Sequence, residues 1–162
     1  MSGTPGSQRV EISASVRAIV DAGGPKAEFV QHFVRYQAAL IDHDPAGLDD
    51  VIVSDSRFHE LEAMGLPPGL QGMKMFRHQV NSALPDEVVT VTAVSFEGDD
   101  FIDADLVING TQTGEIFDIP ATGRRIQFDV HEHCRFVGPK IAERWATVDF
   151  DDIKRQLTDP IQ

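Results

Sequence analysis

From Arg125 to Phe136 apolar and polar residues alternate, and only Glu132 breaks the rule. Ile126, Phe128, Val130, Cys134 and Phe136 share one parity; Arg125, Gln127, Asp129, His131, His133 and Arg135 share the other. Period-two alternation marks a strand with one face on a core and the other toward water. A slip of one residue would turn every apolar side chain outward, so the register is tightly specified. The segment therefore requires a sheet and something apolar to lay it on, which excludes an all-helical fold. Glu132 falls on the apolar parity, between Val130 and Cys134. A carboxyl there has to be paired, protonated or lining a cavity. Arg144 or Trp145 is its expected cross-strand neighbour, and a bulge would decide which.

Three more segments, 88–96, 101–113 and 141–150, read as strands around it. Gly98-Asp99-Asp100 and Gly138-Pro139 supply turn chemistry between the first and last pairs; the connection at 114–123 is longer. The chain ahead of them reads as helical. Pro25 opens a helix where its missing N–H costs nothing, Phe29, Phe33, Tyr36 and Leu40 form its apolar face, and His43-Asp44-Pro45 ends it. A short helix is expected at 46–53 and a brief strand at 57–63. A third helix follows at 72–84, with Met73, Phe76, Val80 and Ala83 facing inward. Residues 151–157 form a last helical turn. Residues 1–8, rich in Gly, Ser, Pro and Thr, are expected to be disordered, and 9–22 to form a short helix through Val10, Ile12, Val16 and Ile19 or Val20. The reading is thus a flexible arm at 1–24 and a single α+β domain at 25–162, helices first and an antiparallel meander after.

The chain has 162 residues, enough for one core, and its 14 Lys and Arg against 26 Asp and Glu leave a formal charge of −12. Such a surface repels phosphate backbones, so neither nucleic acid nor an anionic membrane is an expected partner. No apolar run approaches a membrane span. The first ten residues hold no apolar signal core, and Cys134 is the one cysteine. Both fit a reducing cytoplasm.

Candidate chemistry is sparse. Tyr36, the one tyrosine, lies on the apolar face of its helix, either as a core aromatic or as a hydrogen-bond donor in a pocket. His131 and His133 point the same way on a strand, but only Asp129 is near as a further ligand, so no metal is expected. On a short strand Glu60 and Glu62 would share one side and His59 the other, as a solvated acidic edge or a site. The glycines fit no phosphate-binding pattern, no nucleophile elbow is present, and Cys134 is buried by its parity.

Gly110-Thr111-Gln112-Thr113-Gly114 and Ile119-Pro120-Ala121-Thr122-Gly123-Arg124 resemble the two conserved-type segments of the SnoaL-like polyketide cyclases. Lys140-Ile141-Ala142-Glu143-Arg144-Trp145, Asp149 and Gln156-Leu157 continue the match, as do Gly72 with Phe76 and Leu84-Pro85-Asp86. The resemblance covers about 27–157. It implies the nuclear transport factor 2-like fold shared with ketosteroid isomerases: a cone-shaped barrel, its curved antiparallel sheet wrapped around helices with an internal pocket.

It also implies a small-molecule enzyme without metal or redox cofactor, and a homodimer paired through the convex face near His131, His133 and Val107. Two family positions differ. The acid/base aspartate of the cyclases falls at Ala146, and the histidine of their Gly-Thr-His-Thr-Gly motif at Gln112. Glu132 matches a cyclase pocket histidine and resembles the oxyanion-hole acid of the isomerases; Tyr36 resembles their tyrosine. The isomerase base would fall near Glu60 or Glu62. Glu132 and Tyr36 are thus the expected catalytic pair, with Gln79, Gln112, Arg144 and Trp145 at the substrate. Phe33 and Phe76 supply apolar wall, and His59, Glu60 and Glu62 border it. The expected activity is cyclisation or isomerisation of a polyketide- or terpenoid-like substrate in secondary metabolism such as antibiotic biosynthesis, including epoxide opening. The alternative is a non-catalytic ligand-binding module on the same fold.

Overall fold

A computed structural model describes residues 9–42 and 45–160; the expected disorder at 1–8 lies outside them. Four central strands form the meander the turns promise: β3 (Val88–Glu97), β4 (Phe101–Thr111), β5 (Arg125–Val137) and β6 (Lys140–Val148) pair antiparallel in that order. Two further strands flank them. β1 (Val10–Ile12) pairs parallel with β3, and β2 (Ile52–Phe58) pairs parallel with β6. The order is β1-β3-β4-β5-β6-β2, an open sheet. The expected barrel is therefore not closed: β1 and β2 are its two edges and do not meet.

Among the described residues there are six helices: α1 (Ala14–Ala22), α2 (Gly24–Ile41), α3 (Pro45–Asp49), α4 (His59–Ala63), α5 (Gly69–Ala83) and α6 (Phe150–Thr158). Pro25 stands in the first turn of α2, whose inner stripe buries Val30, Phe33, Tyr36, Gln37 and Leu40. On α6, Asp149 caps the first turn by accepting from the Asp152 amide, and Ile153 and Leu157 at i and i+4 bury its one apolar stripe.

Three local expectations are corrected. The segment 9–22 is a strand and then a helix: Val10 and Ile12 lie on the sheet edge, and Ser13 caps α1 by accepting from the Val16 amide. The helix expected at 46–53 ends at Asp49, because Ile52 and the residues after it pair with β6. The strand expected at 57–63 stops at Phe58, and His-Glu-Leu-Glu-Ala continues as α4 with Leu61 buried; Glu, Leu and Ala are strong helix formers.

Two motif glycines are explained by close approach. A Cβ at Gly114 would lie 2.7 Å from the Ser82 carbonyl oxygen at the end of α5, and one at Gly72 would collide with the Pro67 carbonyl. Beyond Gly114 the chain turns tightly, with Ile116 bridged to Ile119 and Phe117 and Asp118 in the left-handed region at φ 50° and 63°. That strained turn sets Phe117 edge-on to Phe150, ring centres 5.0 Å apart.

Candidate active site

The burial pattern of β5 follows its alternation, and Glu132 is inside with 4% exposure. It lines a cavity between the concave face of the sheet, α2, α4, α5 and α6. The walls are mainly apolar, from Leu61, Phe76, Val80, Phe128, Val130 and Val148 among others. Phe117 and Phe150 border it as well.

Glu132 is held by several groups. Gln37 donates from Nε2 to both of its oxygens at 3.1 Å, and the Cys134 thiol donates to Oε1 at 3.6 Å. Arg144 Nη1 lies 3.8 Å from Oε2. Arg144 makes its main pair elsewhere: Nε and Nη2 donate to the two oxygens of Glu60 at 3.2 and 3.1 Å. Its Nη1 donates to the Tyr36 hydroxyl at 2.6 Å, and its guanidinium lies over Phe58. Glu60 Oε1 also accepts from the Ala146 amide at 3.1 Å. One buried cation thus serves two carboxyl groups, bidentate to one and at longer range to the other.

The environment sets the charges. Burial pulls Arg144 toward neutrality, but Tyr36, Glu60 and Glu132 around it outweigh that and push its pKa well up, so it is a permanent cation. Burial pushes the Tyr36 phenol well above its ordinary range, against the pull of Arg144. The Cys134 thiol is raised well above its usual value by burial and then by Glu132, so it is no nucleophile.

Strand register decides the neighbours of Glu132. Ala146 is directly opposite it; Arg144 is opposite Cys134, one diagonal step away on the same face, and Trp145 is opposite His133. Neither expected residue is the direct partner, and Trp145 has the parity of the convex face. There it stacks on His59 at 4.5 Å and remains 37% exposed.

Among the expected site residues the structure brings together Glu132, Arg144, Glu60 and Phe76 at the cavity. Tyr36 is fully buried and touches Arg144 from the side away from the cavity, whose lining does not include it. Phe33 is fully buried in the aromatic cluster with Tyr36 and Phe136. Glu62 turns away to pair with Arg57, because residues two apart on a helix project nearly oppositely. His59 meets Glu143 at 2.6 Å on the outer side. Gln112 is buried but binds the chain's own loop: its amide donates to the Ile119 and Pro120 carbonyls and accepts from Thr122. Gln79 is exposed on the outer face of α5.

Three functional candidates were not expected. Gln37 is the one polar residue between Tyr36 and Ile41, an interruption of the kind that marks Glu132. Arg77 stands at i+4 from Met73 on the inner stripe of α5, the face from which Gln79 is turned by about 200°. Its Nε donates to the Leu40 carbonyl at 2.8 Å, and its Nη2 to Asn81 Oδ1 at 2.8 Å and Glu87 Oε1 at 2.6 Å. Arg77 and Glu87 both line the cavity. Among the described residues no group of three or more His, Cys, Asp and Glu is placed to hold a metal ion.

The comparisons agree with this architecture. The model of the SnoaL-like polyketide cyclase family matches residues 31–157. The structure is similar to that of TsrD from Streptomyces laurentii, 26% identical, covering 83% of this chain and 97% of that one with a TM-score of 0.73. A SnoaL-like polyketide cyclase from Agrobacterium tumefaciens is 23% identical, with 80% and 97% covered and a TM-score of 0.65. AclR from Streptomyces galilaeus, described as a candidate hydroxylase, is 20% identical, with 84% and 88% covered and a TM-score of 0.68. No curated protein matches the chain.

Proposed function

The chain belongs to the SnoaL-like polyketide cyclase family, and on that premise we propose a cofactor-independent cyclase or isomerase in which Glu132 moves the proton. The observation that carries this reading is the pairing of Glu132 with Ala146. The family's acid/base aspartate position, Ala146, faces the same cavity, and the carboxyl directly across the strand pair is Glu132. Residues directly opposite in an antiparallel pair have Cβ atoms about 5 Å apart. The acid/base function is thus moved one strand over and kept at the same wall. Glu60, bonded to the Ala146 amide, closes the other side.

The chemistry follows from a carboxyl in an apolar cavity. As a carboxylate, Glu132 takes a proton from the carbon beside a ketone, and the electron pair left behind forms the enolate. In a cyclisation the enolate carbon attacks a second carbonyl carbon, and the resulting alkoxide takes the proton back from Glu132. In an isomerisation the proton returns to a different carbon. Opening of an epoxide by an internal hydroxyl would instead start from the protonated acid: Glu132 gives its proton to the epoxide oxygen as that C–O bond breaks, and its carboxylate then takes the proton of the hydroxyl that forms the new C–O bond. Arg144, pinned by Glu60 and Tyr36, holds a fixed positive charge beside the carboxyl through each step. The apolar walls suit a polyketide- or terpenoid-like carbon skeleton.

The test is hydrogen–deuterium exchange beside the carbonyl of 2-tetralone in D₂O, followed by proton NMR. Glu132→Gln is expected to keep the fold and slow protein-catalysed exchange by roughly 10²-fold. Undiminished exchange removes Glu132 from the mechanism. A second reading, a binding module without turnover, draws on the fact that both Glu132 oxygens already accept protein hydrogen bonds. Binding of the ketone with no exchange above buffer would decide for it.

A further inference from the structure

The cavity has a second polar end, and the proton-transfer chemistry does not use it. Arg77 and Glu87 are 8% and 2% exposed and pair at 2.6 Å. Part of this arrangement is structural. Leu40 is in the last turn of α2, where carbonyls lack helical partners, and Arg77 Nε satisfies one of them. That task needs neither Glu87 nor the rest of the guanidinium. A buried ion pair is also no requirement for stability, since apolar residues of similar volume often serve as well or better.

The pair is incompletely used by the protein. Among the described residues, Arg77 Nη1 and Glu87 Oε2 make no hydrogen bond, and neither is among the fully enclosed atoms left without a partner. Both side chains line the cavity. One ion pair in the cavity lining therefore carries both an N–H donor and a carboxylate acceptor without a protein partner. The position is also defined along α2: Leu40, which anchors Arg77, is three residues from Gln37, which anchors Glu132. At about 1.5 Å rise per residue the two anchoring residues are about 4.5 Å apart along the helix, so both polar ends are fixed to the same turn of α2.

We propose that Arg77 and Glu87 form a recognition site for a hydroxyl group of the substrate, a phenol or enol separate from the carbon that reacts at Glu132. A hydroxyl accepts from Arg77 Nη1 and donates to Glu87 Oε2 at once. A methyl ether cannot donate, and leaves the Glu87 oxygen desolvated and unpaired. The proposal rests on reading the cavity as a small-molecule site, and it names the class of molecule: a hydroxylated ring system.

The experiment measures binding of 2-naphthol, 2-methoxynaphthalene and naphthalene by fluorescence and NMR titration. The unaltered protein is expected to bind 2-naphthol at least 10-fold more tightly than its methyl ether. Arg77→Met/Glu87→Leu, which removes both charges together, should bring the two within about 2-fold. Glu87→Gln leaves Arg77 on the Leu40 carbonyl and should reduce the preference about 3-fold; it serves if the double variant fails to fold. Glu132→Gln should leave the preference intact. A preference that survives both Arg77 and Glu87 variants, or that disappears in Glu132→Gln, overturns the proposal. Equal binding of naphthol and ether by a protein that exchanges 2-tetralone overturns it while leaving the acid/base reading in place. Binding of none of the three overturns the cavity reading with it.

Discussion

His131, Glu132 and His133 are consecutive, yet they belong to two different electrostatic worlds. On the convex face His131 sits between Asp105 at 2.9 Å and Asp103 at 3.2 Å, with its side chain 47% exposed. His133 shares Asp103 at 3.0 Å. On the concave face Glu132, Arg144 and Glu60 are enclosed, with side-chain exposures of 5, 6 and 14%. Both faces pair carboxylates with basic side chains at similar distances. The difference is the medium: water and salt screen the outer pairs and screen the inner ones much less. Strand parity alone decides which side chain goes where. One residue of alternation thus separates a surface network of small energetic weight from a site where removing one partner strands a charge.

The sharpest way to break this comparison is Arg144→Met. It leaves Glu60 and Glu132 without their shared cation, and a buried charge deprived of its partner typically costs about 3–5 kcal/mol. Chemical denaturation should show that loss at low and at high salt alike; a loss below about 1 kcal/mol would mean that water reaches the concave cluster. Tyr36→Phe is the intermediate case. It removes only the hydroxyl that accepts from Arg144, and about 1–3 kcal/mol should follow from the unsatisfied buried donor. Burial holds that phenol neutral, so the difference between the variant and the parent should not change between pH 6 and pH 9.

The smallest effect belongs to the convex face. His131 has its pKa raised, first by the hydrogen bond with Asp105 and then, against desolvation, by Asp103. A raised folded-state pKa means that its stabilisation is fully present below about pH 6.5, the unfolded value, and fades as pH rises through the folded value. His131→Gln should therefore lower stability at pH 5.5 by under about 1 kcal/mol and have no effect at pH 9. Added salt should erase even the acid-side difference. A salt-insensitive loss would place His131 in an enclosed interface.

Much of this division is legible in sequence. The alternation of β5, the interruption at Glu132 and the turns around the meander all act over a few residues, and the structure follows them. Of the edge strands, β1 is read as helix and only the last two residues of β2 fall in the strand expected at 57–63, because the pairing is remote: Val10 meets Val89 and Phe58 meets Arg144. Nothing within either short segment signals a partner so far along the chain. The swap of Gln79 for Arg77 has a different cause. The family resemblance puts Gln79 at the pocket, whereas the 100° step of the helix puts Arg77 with Met73 and turns Gln79 to water. Glu60 and Glu62 were separated likewise, once the local period changed from two to 3.6.

Parallel pairing of β2 with β6 also has a consequence for the order in which the molecule comes into being. Glu60 and Arg144 are 84 residues apart in the chain, so their contact cannot form until those further residues have been translated. At about 5–20 residues per second, a ribosome needs roughly 4–17 seconds to travel from one to the other. Until β6 follows, β5 has an open edge and Glu132 has no cation. The edge is a temporary liability of the kind that chaperones cover. Arrival of β6 closes it and in the same event delivers Arg144 between the two waiting carboxyl groups.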